Sequence, residues 1–294
     1  YFPNSFQSDG SGTLLMREGI LAGQNTSLQI TTDDAVLVRM LSSPEHYVSI
    51  VGYLSQITIS GLPSQQLNFE SWDPAKAMPD LERSDGRAYI LALGSRMDID
   101  HASFSDLGYE EGTVSGVAWK SLRLNGETTV GRGDVTNSQF MRNYFGAYTF
   151  ESIEMHWTGN VFADNIGYGF DPHDFSDYFQ VENNIARNNG SHGIIFSRGC
   201  SHNVIRGNRS FGNDGHGIML DDGKVIPNSN NPRYLVPVPS NYNIIENNLV
   251  MNNKDDIVLE GGAGNIVRNN TITGSHRYGL RFKDNVTDTL VISN

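Results

Sequence analysis

The sequence predicts an all-β fold wound as a parallel β-helix, a solenoid with coils of about 22–24 residues, and three observations predict it. From Asn137 onward the chain repeats itself: Asn160, Asn184 and Asn208 stand 24 residues apart, as do Asn165, Asn189 and Asn213, and Gly169, Gly193 and Gly217. The segments between these markers are short β-branched or apolar runs broken by Gly, Asn, Asp and Ser, which read as strands. Nowhere does an apolar stripe with a 3.6-residue period argue for a major helix.

Before the clear repeat, strands are expected at residues 28–31, 35–41, 47–53 and 56–59, then at 88–93, 96–104 and 116–124. Residues 71–87 carry two prolines and seven charges and read as an ordered surface loop. The spacings Asn137 to Asn160 and Gly146 to Gly169 are both 23, so the repeat starts at least one unit before Asn160. Asn208 to Asn248 is 40, which places one insertion near residues 223–241, and Asn248 to Asn270 returns to 22. The expectation is one β-helix domain over residues 1–294.

Stacked coils bring equivalent positions within about 4.8 Å, so asparagines at fixed turns can bond to their copies above and below. That ladder role is expected for Asn160, Asn184 and Asn208. Counting outward from the repeated glycine, positions one and three are nearly all apolar: Val117 and Trp119, Phe170 and Pro172, Ile194 and Phe196, Ile218 and Leu220, Ile257 and Leu259, Leu280 and Phe282. These point inward. Position four holds Lys120, Phe150, His173, Ser197, Asp221, Glu260 and Lys283 and faces outward. Position five stacks Asp174, Arg198 and Asp222; the position before the glycine stacks Tyr168, His192 and His216. One sheet therefore carries a line of titratable groups across three coils.

Composition limits the chemistry. A formal charge of −12 argues against general nucleic-acid binding, and no apolar run approaches the ~20 residues of a membrane span. The chain starts at Tyr1 without a charged-then-apolar leader, so any export signal is expected to be removed already or never present. The lone Cys200 is expected to be a buried structural thiol. Five Asn-x-Ser/Thr sequons, at Asn25, Asn189, Asn208, Asn269 and Asn285, do not establish glycosylation in a chain this rich in Asn, Ser and Thr.

The chemistry concentrates in YGFDPHD, residues 168–174, where a phenol, an imidazole and two carboxylates share seven positions. Pro172 fixes its own φ and biases the residue before it toward extended geometry, so Asp171 and His173 are displayed by stiff backbone. This stretch resembles the signature of mannuronan C5-epimerases, with SHGIIFSR at 191–198, SWD at 71–73 and DLGY at 106–109 resembling further parts of the periplasmic type. The resemblance spans roughly residues 70–290. It implies a right-handed parallel β-helix, conversion of β-D-mannuronate to α-L-guluronate within alginate, and a periplasmic or extracellular location.

Residue by residue, the resemblance puts the general base on His173 and the arginine that neutralises the substrate carboxylate on Arg198. Tyr168 matches a tyrosine implicated in proton transfer in the secreted enzymes, whose catalytic arginine falls here on Gly215, beside His216. Asp171 joins the catalytic set as a group that orients His173 or Arg198. Asp174, His192, His216, Lys120, Asp221, Lys224, Arg281 and Lys283 are expected to contact a polyanionic polysaccharide, and the contacts of the basic groups Lys120, Arg198, Arg281, Lys283 and Lys224 are expected to be exposed and screened by salt. No cofactor is expected, since Asp171, Asp174, Asp221 and Asp222 lack calcium-loop spacing. Two alternatives stay open at this stage: a polyuronate lyase sharing the first half of the mechanism, and a non-catalytic carbohydrate-binding β-helix.

Overall fold

The computed structural model describes residues 5–110, 114–223, 225–231 and 234–294. Three parallel sheets run along the molecule, and consecutive strands pass from one sheet to the next, as in a β-helix. Two sheets have ten strands each, from Ile20–Ala22 to Tyr278–Lys283 and from Ser27–Thr31 to Leu290–Ile292. The third begins at Phe6–Ser8, which pairs antiparallel with Thr13–Met16 before the parallel run, and ends at Thr271–Thr273. Coils therefore begin well before Asn137, where the sequence period is still obscured by turns of unequal length.

The inward positions behave as expected. Val117, Trp119, Phe170, Ile194, Phe196, Ile218, Leu220, Ile257 and Leu259 are fully buried in one continuous core. Phe282 departs from this at 44% exposure, because no described coil covers the last one. Identical residues stack along the axis: Phe69, Phe104, Phe140 and Phe162 form a run of near-parallel rings 5.2–5.3 Å apart. Such offset stacks add to area burial at every coil step.

Asparagine ladders close the turns. Asn184 Oδ1 accepts the backbone N–H of Asn160 at 2.9 Å, and its Nδ2 donates to Asn208 Oδ1 at 3.0 Å. The run continues through Asn248 and Asn270 to Asn294. A second ladder joins Asn165, Asn189, Asn213 and Asn253, and a third, not anticipated, joins Asn203, Asn243 and Asn265. Asn189 and Asn208 are thus buried, and two of the five sequons lie inside the fold. At Gly169 an added Cβ would meet the Gly193 carbonyl at 2.5 Å and Asn189 Nδ2 at 2.8 Å, which explains the periodic glycine.

Three expected elements are corrected. Residues 96–104 form two strands, Arg96–Asp100 and Ala102–Ser105, because His101 adopts φ 49° and turns the chain into the next sheet. Residues 116–124 also divide: Val117–Lys120 stays in the solenoid, while Leu122–Leu124 pairs antiparallel with Glu127–Thr129 as a protruding hairpin. Within residues 71–87 the strand Leu67–Asp73 continues and Met78–Pro79 folds back on it, so this loop opens with a short hairpin.

Candidate active site

The ten-strand sheet that starts at Ile20–Ala22 displays the chemistry. Its register places Lys120, Phe150, His173, Ser197 and Asp221 in one outward column. The residues two positions after the glycine also face outward: Ala118, Tyr148 and Asp171 follow one another in register, and Ile195, Met219, Val258 and Arg281 continue the row. Tyr148 of this row lines a cleft, with the buried Asp171 beside it in register. Phe170–His173 keeps its partners with Ala147–Phe150, while on its other side only Phe170 and His173 pair with the next coil. Pro172 has no N–H to offer, which accounts for the gap.

The cleft has a volume of about 670 Å³ and is lined by Lys120, Ser121, Tyr148, Phe150, Tyr168, His173, Ser197, Arg198 and Asp221, with Gly223, Ile226 and Tyr234 from the insertion. Tyr168 precedes the strand Phe170–His173 and His173 ends it, and both side chains line the cleft, while Asp171 between them is buried.

The stacking between coils is as expected. Arg198 Nε donates to Asp174 Oδ1 at 3.2 Å, and both groups are buried. Both residues occupy the left-handed region, Asp174 at φ 40° and Arg198 at φ 64°, a conformation that non-glycine residues adopt only when surroundings enforce it. Tyr168 stacks on His192 at 5.2 Å and His192 on His216 at 4.7 Å, nearly parallel. These rings form one wall, packed against Ile195, Met219 and Val258 through Tyr168.

Electrostatics divide the roles. Burial pulls the His173 imidazole down, but the Asp174 carboxylate 3.3 Å from Nδ1, with Asp171 and Asp221, outweighs it and leaves the pKa above 6.5. Burial pushes Asp171 up to about 7 despite His173, aided by Asp221 and Asp174. Burial first, then the anionic Asp171 and Asp221, raises Tyr168 to about 12. Lys120 is brought down to about 8 by burial, with its ammonium 5.0 Å above the Tyr148 ring.

The expected exposed, salt-screened contacts need correction at two positions. Arg198 is 2% and Lys120 8% exposed, so both act from inside the protein surface. The Tyr234 ring lies 5.0 Å from the Arg198 guanidinium, and Arg198 Nη2 reaches the Val236 carbonyl at 3.5 Å. Arg281 and Lys283 lie further along the sheet and are paired, with Asp255 and Glu260 respectively. Lys224 falls outside the described residues. His192 and His216 belong to the wall and do not line the cleft itself.

Tyr148 and Tyr234 were missed. Tyr148 sits two positions after the repeated glycine, on the outward side of its strand; Tyr234 sits in the aperiodic insertion, where no repeat marks it. Asp221, Asp222 and Glu260 bring three carboxylates within 4.8 Å, but Ser197 Oγ already donates to Asp221 at 2.6 Å and Lys283 pairs with Glu260. Cys200 is buried, with its thiol pushed well up by desolvation, as a structural residue should be.

Comparison with known proteins agrees with this fold. The family described as "Right handed beta helix region" matches residues 118–231. A mannuronan C5-epimerase of Pseudomonas putida is 26% identical over 206 residues, 68% of this chain and 37% of its own. The chain resembles the mannuronan C5-epimerases. The epimerase AlgG of Azotobacter vinelandii is 28% identical over 205 residues, 68% of this chain and 36% of its own. The chain thus spans about a third of the length of these relatives. A crystal structure of the periplasmic alginate epimerase AlgG superposes with a TM-score of 0.82 at 23% identity, covering 96% of this chain and 63% of that one, and establishes the right-handed β-helix.

Proposed function

We propose that this chain carries a mannuronan C5-epimerase activity, converting β-D-mannuronate to α-L-guluronate within a polymer laid along the cleft. The observation that carries the reading is that His173, Tyr168 and Arg198 line one cleft, with His173 and Arg198 both set against the Asp174 carboxylate. The C5 hydrogen of a uronate is adjacent to a carboxylate, so its removal needs that charge neutralised first. Arg198 can do so with a forked pair of charge-assisted bonds, and Asp174 and Tyr234 hold its plane.

Neutral His173 then takes the C5 proton, and the electron pair is delocalised onto the carboxylate as an enolate-like intermediate. Tyr168, protonated at neutral pH because its pKa lies near 12, delivers a proton to the other face. The C4–O bond stays intact, C5 is inverted, and solvent restores both groups. Asp171, buried beside the cleft-lining Tyr148 and with a pKa near 7, is only partly charged and repels the substrate less than a free carboxylate would. Lys120 supplies counter-charge two coils away along His173's own column. No step calls on a cofactor. The location that fits this substrate is periplasmic or extracellular.

The test is to incubate polymannuronate with the protein and its His173→Ala variant and follow products by proton NMR. New guluronate from the wild type, absent with a variant that still binds polymer, supports the proposal. Unsaturated chain ends would instead mark elimination, and binding with no turnover in either protein would leave only a carbohydrate-binding module.

A further inference from the structure

His192 has no task in the proton transfers, yet it is the most constrained ring of the wall. It lies between Tyr168, at 5.2 Å and 11°, and His216, at 4.7 Å and 5°. The backbone N–H of His216 donates to His192 Nδ1 at 2.8 Å. A ring nitrogen that accepts an amide proton carries none itself, so the single proton of the neutral ring sits on Nε2. Nε2 makes no hydrogen bond to a described residue and is not sealed from solvent.

The surroundings hold this state. The phenol of Tyr168 covers one face and the imidazole of His216 the other, while Gly215 packs against Nδ1 so closely that an added Cβ would meet it. Lys254 is the cation acting on His192, and Asp255, Lys254, Arg277 and Arg281 act on His216. A second proton would have to displace the His216 amide. Burial, then His216 and Lys254, accordingly depress the His192 pKa to about 3.

We propose that His192 is a tautomer-locked, neutral hydrogen-bond donor whose Nε2–H positions the uronate next to the reacting one by holding one of its acceptor oxygens. His192 does not line the cleft itself but stacks on Tyr168, which does, one coil further along the axis at about 4.8 Å, close to the length of one hexose unit, so the sugar it would meet lies just past the end of the cleft. The ligand half of this proposal rests on the polyuronate reading; the tautomer half does not.

Two measurements test it. Two-bond nitrogen–proton correlation spectra of the ¹⁵N-histidine-labelled protein should show His192 as the Nε2–H tautomer with no titration between about pH 5 and pH 8. An Nδ1–H form, or a titration in that window, overturns the lock. For polymannuronate, His192→Phe keeps the ring stack and removes both nitrogens; KM should rise roughly tenfold with kcat near wild type. His192→Gln, which restores a donor near Nε2, should bring KM back within about threefold. A folded His192→Phe protein with unchanged KM, or with kcat lowered instead, overturns the positioning role. If His192→Phe does not fold, a tenfold rise in KM for His192→Gln does the same. A wild type that neither binds nor turns over polymannuronate overturns the ligand named here together with the polyuronate reading, whatever the tautomer.

Discussion

His173 sits under two opposed influences, burial favouring its neutral form and three carboxylates favouring its charged one, and the carboxylates prevail. A group whose pKa is raised in the folded state is charged below that pKa, so the base becomes available only as pH rises through it. The acid limb of the kcat/KM profile should therefore have its midpoint above 6.5, and Asp174→Asn should move it to lower pH. An unshifted limb in that variant would remove Asp174 from the account. His173→Ala should lower kcat by about 10²–10⁴ while polymer binding persists. Arg198 is a different case, because its guanidinium is buried against the Asp174 carboxylate. Arg198→Ala should cost about 3 kcal/mol of stability in denaturant unfolding, since removing one partner of a buried pair exposes the cost of desolvating the other. Arg198→Lys should keep more of the stability but lose turnover, because an ammonium cannot reproduce the fork.

At the level of elements, the asparagine ladder and the periodic glycine are two halves of one device. Each asparagine turn satisfies backbone groups on the coil before it, and the glycine admits the next asparagine's amide. Asn184→Ala removes an acceptor used by both the amide and the side chain of Asn160, and should destabilise the fold by about 2–3 kcal/mol in urea titration. Much of this was legible because a fixed period fixes register: once Gly169, Gly193 and Gly217 are aligned, Asp174 must stack on Arg198 and Tyr168 on His192. What was not legible came from breaks in period. His101 turns the chain by adopting a left-handed conformation that no residue type announces, and the Leu122–Leu124 hairpin looks like strand continuation in a linear reading. The burial of Lys120 and Arg198 was hidden for a related reason, since column position gives the direction of a side chain and says nothing of what the insertion lays over it.

On the scale of the whole molecule, a protein of charge −12 sets two cations, Arg198 and Lys120, in one cleft with low solvent exposure. Charges so placed are screened less by salt than surface pairs, which favours a polyanion in register with the coils over indiscriminate binding. The central claim of the proposal is that His173 as base and Tyr168 as a separate acid serve one cleft. It is tested most directly by running polymannuronate turnover in deuterated water to low conversion and locating the label by NMR. The account predicts deuterium at C5 of the new guluronate and none in the recovered mannuronate, because His173 removes the proton and a separate, solvent-equilibrated Tyr168 delivers the replacement. Deuterium in recovered mannuronate, as a single exchanging base would leave, would contradict it.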